Sequence, residues 1–548
     1  MFSNKNRTEI INKLQKDPFD VLIIGGGITG AGIAFDASSR GMKTALVDMQ
    51  DFASGTSSRS TKLVHGGLRY LKNFEVKLVA EVGKERAIVY ENGPHVTTPE
   101  WMLLPIYQDG TFGRLSTSIG LRVYDYLAGV SSDERRTMLN VQETIEKVPL
   151  IKKEGLQGAG YYVEYRTDDA RLTIEVMKAA YEKGAVPINY MKAYKLLYKN
   201  SEVEGILAVD QLTGDEYEIK AHTIVNASGP WVDFIRDMDG SKIGKSMQLT
   251  KGVHIVVDQS KLPLKQAVYF DTPDKRMIFA IPRNGKSYVG TTDTFYNQDP
   301  QNPKITKEDR EYLIHAITDM FPDARVSETD IESSWAGVRP LISVEGKDPS
   351  EISRKDEIWE APSGLITIAG GKLTGYRKMA ETVVNLLARN LKEKSNLEFT
   401  RCLTKTLPIS GGDVGGSRNY NSFIEKLSRD GIEIGLTQGE AFHLVSMYGS
   451  NTPILFNMIE ANSNEAEKYE MPLTLWVKLK YALDYEMAAT PSDFFTRRTG
   501  DLLFDINSVR NYQKLVNDYM SDYFDWSEER KQQFNRELEQ ELNDATNP

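Results

Sequence analysis

Val21-Leu22-Ile23-Ile24-Gly25-Gly26-Gly27-Ile28-Thr29-Gly30 is the stretch that decides the fold. Four consecutive large apolar residues bounded by glycine read as a strand buried on both faces. Residues 28–40, rich in small side chains, read as a helix that Gly41 stops, and Thr44-Ala45-Leu46-Val47 is the next strand. Strand, helix and strand in this order form a right-handed βαβ unit, the seed of a doubly wound parallel sheet. The glycines fit GxGxxG: Gly25 permits the tight turn, Gly27 lets a pyrophosphate approach the backbone, and Gly30 lets the helix pack on the strand. The helix N-terminus then stabilises the diphosphate charge. Asp48 ends the second strand, 18 residues after Gly30, where its carboxylate can accept the ribose hydroxyls.

Two later apolar runs end in glycine in the same manner. Thr223-Ile224-Val225-Asn226-Ala227 leads into Ser228-Gly229-Pro230-Trp231, and Leu365-Ile366-Thr367-Ile368-Ala369 leads into Gly370-Gly371-Lys372-Leu373-Thr374-Gly375. As further central strands of the first sheet they favour FAD over a nicotinamide cofactor. A second helix N-terminus aimed at the ring would stabilise the electron-rich edge of a reduced flavin. On spacing alone, a plain pair of tight strand–helix turns stays open. Residues 251–257 and 276–282 alternate and suit an antiparallel sheet in a second domain. Beyond 392, helical periodicity with charged faces dominates. The expected organisation is an FAD-binding domain over 1–95, 160–245 and 335–392, an interwoven substrate domain over 96–159 and 246–334, and an all-α domain over 396–548.

Composition narrows the function further. A net charge of -10 gives no general attraction to nucleic acid or anionic lipid, so any anion site must be local. The single cysteine, Cys402, excludes an internal disulfide and a CxxC pair, which suits a reducing compartment and leaves redox chemistry to a bound cofactor. No residue cluster has metal-ligand spacing, so no metal is expected. The first 17 residues lack a signal-peptide pattern, and the longest apolar stretch, 21–35, is too short and glycine-rich to span a bilayer. Phe2, Ile10, Ile11 and Leu14 among Lys5, Arg7, Lys13 and Lys16 could form a weak interfacial helix or an ordinary solvated one. The apolar-basic stretch 115–127 is a second candidate anchor.

Asp51-Phe52-Ala53-Ser54-Gly55-Thr56-Ser57-Ser58-Arg59-Ser60-Thr61-Lys62-Leu63-Val64-His65-Gly66-Gly67-Leu68-Arg69-Tyr70-Leu71 closely resembles the signature of the FAD-dependent glycerol-3-phosphate dehydrogenases. Gly337-Val338-Arg339-Pro340, Gly370-Gly371-Lys372-Leu373-Thr374 and a helical region from Leu407-Pro408 extend the likeness over nearly the whole chain. The resemblance implies α/β architecture with a glutathione-reductase-like FAD domain, noncovalent FAD, and oxidation of sn-glycerol 3-phosphate to dihydroxyacetone phosphate. It also implies electron transfer to membrane quinone from a peripheral position on the cytoplasmic face. A soluble branch of the family reduces oxygen to hydrogen peroxide instead, usually with an additional internal segment; no such block is evident here. Homodimerisation is left open, and no nucleic-acid partner is expected.

The chemistry selects the residues. Arginine and lysine suit a phosphate because they make charge-assisted, partly bidentate hydrogen bonds. By resemblance, Arg69, Tyr70, Arg339 and Lys372 fall on the family's substrate-contacting positions. Histidine titrates near working pH and suits removal of the hydroxyl proton, so His65 is the favoured base and His254 the alternative. Ser54, Thr56, Ser57 and Ser58 are expected to cradle the flavin, together with Gly229, Gly370, Gly371, Leu373 and Thr374.

Overall fold

The computed structural model describes residues 1–16, 18–65, 76–110, 113, 117, 120–121, 135–344 and 355–548. Parallel strands lie in the spatial order Ile366–Ala369, Glu216–Asn226, Phe19–Ile24, Thr44–Val47, Val186–Ile188. Val21 to Ile24 pair with Thr223 to Asn226 on one side and with Thr44 to Val47 on the other. Val21, Leu22 and Ile23 are fully buried because this strand is central in the sheet and covered by packed elements. Helix Ile28–Ser39 packs between helices Asp169–Glu182 and Tyr376–Ser395. Strands Met191–Lys199 and Glu202–Asp210 form an antiparallel meander with the first half of Glu216–Asn226.

The second sheet runs Thr294–Phe295, Lys245–Asp258, Lys286–Gly290, Met277–Arg283, Ala267–Asp271, Thr97–Tyr107, Leu156–Thr167, Leu63–Val64. Ile331–Val344 pairs along the length of Lys245–Asp258, from Lys245 opposite Val344 to Val257 opposite Ile331. The expected boundaries at 160 and 335 therefore cut through strands. Leu156–Thr167 and Ile331–Val344 belong whole to the second sheet, and so does Leu63–Val64. Alternation marks a strand but does not say which sheet will pair with it.

From Tyr376 onward every regular element among the described residues is helical. The later helices close on their own core, with Leu444, Tyr448, Trp476, Val477, Phe494 and Val516 buried at its centre.

The N-terminal segment corrects an expectation. Ile10, Ile11 and Leu14 of helix Arg7–Lys16 are buried in the first domain, and Phe2 stacks on Phe52 and Tyr181 at centroid distances of 6.0 and 4.7 Å. Arg7 pairs with Asp210 at 2.7 Å. The apolar face that would enter a lipid interface faces the protein's own core, so this helix is no membrane anchor. An amphipathic stripe looks the same whichever surface covers it. The other candidate anchor, 115–127, lies outside the described residues apart from Thr117, Gly120 and Leu121.

Candidate active site

Helix Ile28–Ser39 starts at Gly27, whose extended backbone brings the first-turn amides to the C-terminal end of the parallel sheet. Gly25 sits at φ 115°, and a Cβ there would lie 2.5 Å from the Ala227 carbonyl oxygen of the neighbouring strand. The turn therefore demands glycine. Gly30 backs onto the Gly25 carbonyl, closing helix on strand. The Ile28 amide donates to Ser57 Oγ at 2.9 Å. Asp48 accepts from the Gly26 amide at 2.5 Å and the Gln50 amide at 2.8 Å. Burial outweighs both donors and pushes its carboxyl up to about 7.

These groups enclose a cavity of about 430 Å3, within the usual range for a cofactor site. Gly25, Gly27, Asp48, Ser54, Thr56 and Ser57 line one side, and Gly229, Gly370, Gly371 and Leu373 of the returning strands line the other. A backbone cradle at a helix N-terminus, an acid at the end of the second strand and a return by two further strands suit FAD. Ser58 stands apart from this wall: it is buried, and its carbonyl accepts from Lys62 Nζ at 3.0 Å.

A second cavity, of about 400 Å3, shares Thr56, Ser60, Pro340, Gly371, Lys372 and Leu373 with the first. The two spaces meet where strand Ile366–Ala369 ends. Arg339 projects into the second cavity from Ile331–Val344. Its Nη2 donates to Thr291 Oγ1 at 2.8 Å, and its Nη1 lies 3.3 Å from Asp293. The guanidinium crosses above Gly252, where a Cβ would come within 2.3 Å of both Arg339 Nη2 and Thr291 Oγ1. Lys372 stands at the start of the turn Leu373–Gly375 that leads into helix Tyr376–Ser395. A cation and a helix N-terminus thus favour an anion at the same place.

Both expected histidines line this second cavity. The His65 amide donates to Thr374 Oγ1 at 3.0 Å, and that hydroxyl lies 3.1 Å from the His65 carbonyl oxygen. Burial, with Lys372 and Arg86 nearby, lowers the His65 imidazole to about 3. His254 Nε2 is 3.0 Å from Thr61 Oγ1, and its ring stacks on Trp335 at 4.6 Å and 9°. Burial, with Arg339 and Lys62 nearby, lowers it well below the ordinary histidine value. Both rings are therefore neutral near pH 7. His65 is half-buried, whereas His254 is 1% exposed with its Nδ1 enclosed.

Arg69 and Tyr70 lie outside the described residues. The sequence reading missed Thr61, Trp335, Gly252, Thr291 and Asp293, which hold His254 and Arg339 in place. It also missed the apolar wall of Met102, Tyr269 and Phe279. Gly290-Thr291-Thr292-Asp293, a hydroxyl-and-acid run directly after an alternating strand, was the available signal.

Comparison with known proteins agrees with this geometry. Residues 20–377 match the family described as FAD dependent oxidoreductase, and residues 402–531 match the C-terminal domain of alpha-glycerophosphate oxidase. The chain is 60% identical over 547 residues to the aerobic glycerol-3-phosphate dehydrogenase of Bacillus subtilis, covering 100% of this chain and 99% of the relative. It is 58% identical over 545 residues to the protein of the same name from Staphylococcus aureus, covering 99% and 98%. The crystal structure of the glycerol-3-phosphate dehydrogenase of Bacillus halodurans, solved with FAD, superposes with a TM-score of 0.88 at 49% identity, covering 100% of this chain and 99% of that one.

Proposed function

This chain belongs to the FAD-dependent oxidoreductase family, in its glycerol-3-phosphate dehydrogenase branch, and from that membership we propose how its residues divide the work. The reaction is oxidation of sn-glycerol 3-phosphate to dihydroxyacetone phosphate, with FAD supplying the hydride acceptor. Arg339 and Lys372 hold the phosphate, and Arg69 and Tyr70, at the family's substrate-contacting positions, complete that grip. Phosphate anchoring at one end presents the C2 hydroxyl to a neutral histidine. His65 takes this proton: its ring is the more accessible of the two. His254, locked by Thr61 and Trp335, forms the opposite wall and is the alternative base. The cradle glycines, Asp48, Ser54, Thr56 and Ser57 hold FAD without a covalent tether.

The observation that carries this reading is the convergence of Arg339, from strand Ile331–Val344, and Lys372, from the turn after strand Ile366–Ala369, on a cavity that opens into the cofactor cradle. Anaerobic mixing of the purified yellow protein with glycerol 3-phosphate should bleach the flavin absorbance, and glycerol should not. His65→Gln should slow the bleaching far more than His254→Gln. Absence of bleaching by glycerol 3-phosphate overturns the reading.

The electrons pass to membrane quinone, from a peripheral position on the inner face of the cell membrane. The relatives' designation as aerobic dehydrogenases supports this acceptor. Among the described residues no helix is long and apolar enough to cross a membrane. Turnover with a soluble quinone analogue should exceed peroxide formation in air; fast stoichiometric peroxide would favour the oxygen-using alternative.

A further inference from the structure

The helical C-terminal domain contributes no residue to either cavity wall described above, yet it ends up against the root of the cofactor loop. Asp51 opens the segment 51–58, whose Ser54, Gly55, Thr56 and Ser57 line the cradle. Its carboxylate is 1% exposed and accepts from Arg497 Nε at 2.5 Å, Arg498 Nη1 at 2.6 Å, Arg498 Nη2 at 2.8 Å and Asn189 Nδ2 at 2.9 Å. Three of these four donors come from the helical domain. We propose that this domain acts as a clamp on the cofactor loop, with Arg497 and Arg498 as positioning residues that fix Asp51 and, through it, the residues touching FAD. The clamp rests on the FAD-binding reading above.

Local geometry suits the task. Neighbours on an α-helix point about 100° apart and would not share one carboxylate easily. Phe494–Arg498 is a π-helical turn, and its wider path brings both arginines to Asp51. Each arginine is also held from its own side: Arg497 Nη2 donates to Asp493 at 2.6 Å, and Arg498 Nη2 donates to the Glu486 carbonyl at 2.7 Å. The paired guanidiniums hold the Asp51 carboxyl down to about 2, so the anion is present across the working range.

The network reaches two more pieces of the first domain. Asn189, just past strand Val186–Ile188, donates to both Asp51 and the Met487 carbonyl, each at 2.9 Å. Glu486 accepts from Arg171 Nη1 of helix Asp169–Glu182 at 2.7 Å. Buried ion pairs are often no more stabilising than apolar residues of equal volume, but they fix geometry where the partners are satisfied, as at Asp51, each of whose carboxylate oxygens accepts two hydrogen bonds. So much paired charge at the base of one loop is explained better by orientation than by stability.

Coupling of this kind is reciprocal: if the arginines order the loop, FAD bound to the loop must order the arginines. Two measurements on the full chain test it. FAD release from the holoenzyme is followed by the rise in flavin fluorescence on dilution. Arg498→Met should release FAD at least about tenfold faster, and Arg498→Lys should recover part of the loss because it keeps the charge but not the fork. Amide hydrogen exchange of the unmutated chain, with and without FAD, serves if Arg498→Met does not fold. FAD should slow exchange in Phe494–Arg498 as well as in 25–58. Release within twofold of the parent from a folded Arg498→Met, or FAD-dependent protection confined to the first domain, overturns the clamp. A parent protein that carries no FAD overturns the cofactor reading instead.

Discussion

The cofactor cradle and the proposed substrate cavity share six wall residues but are built in opposite ways. The cradle uses backbone: a glycine turn, first-turn amides, and an acid placed by the end of the next strand, much of it within residues 24–57. The proposed substrate cavity uses side chains delivered from distant segments of the chain: His65, His254, Arg339 and Lys372. Backbone features tolerate almost no steric change, because nothing behind them can move. Side-chain features degrade by degrees. A dinucleotide needs a fixed, extended groove that short-range structure can provide. A small phosphate ester needs two or three charges at one point, which requires chain closure.

The sharpest way to break this comparison is a pair of alanine substitutions. Gly25→Ala forces a side chain into positive φ, 2.5 Å from a main-chain oxygen. The protein should be recovered without flavin or not at all, as read by flavin absorbance per chain. Gly252→Ala first meets the side-chain ends of Arg339 and Thr291, each at 2.3 Å, rather than backbone. It should keep its flavin and lose activity. Parent-level flavin in Gly25→Ala, or flavin loss in Gly252→Ala, would erase the distinction.

The next largest effect concerns charge. Arg339→Ala should cost about 1.5–3 kcal/mol, roughly ten- to a hundredfold in kcat/KM for glycerol 3-phosphate. Glycerol, which has no phosphate to lose, should be affected little. Equal losses on both would move Arg339 from substrate binding to support of Thr291 and Asp293.

The smallest effect sharpens the cradle side. In the free site the Asp48 carboxyl is pushed up to about 7, chiefly by burial. Ribose hydroxyls donate to its ionised form, so FAD binding should be flat above pH 7 and weaken as pH falls through it. The limit is roughly tenfold per pH unit. Stability of the FAD-free chain should move the other way. A carboxyl whose folded pKa exceeds its unfolded value near 3.8 stabilises the fold increasingly as pH drops from 7 toward 3.8. FAD affinity and the denaturation midpoint of the FAD-free chain, each followed against pH and repeated with Asp48→Asn, check both signs: the substitution should remove both steps.

Legibility followed the same division. The βαβ unit, Asp48, the two returning strands and the helical character of the C-terminal region were readable, and the structure places each as expected. Arg339, Lys372 and both histidines were readable as residues, yet nothing near them in the chain shows that they share a cavity. Ser58 reads like its neighbours Ser57 and Thr56, but it is buried outside the cradle wall, and Lys62 reaches its backbone carbonyl rather than its hydroxyl.

What the sequence alone determined is what depends on residues within a few turns of one another: a buried parallel strand, a glycine turn, an amphipathic helix. Backbone conformation and periodicity are local, so a local reading recovers them. Only the tertiary structure decided what lies across the gap. It placed helix Arg7–Lys16 in the protein's own core and gave Leu156–Thr167 and Ile331–Val344 to the second sheet. It also set Arg497 and Arg498 against Asp51, 446 and 447 residues away along the chain. An apolar stripe or a charged side chain specifies the kind of partner it needs, and chain closure alone selects which partner it meets.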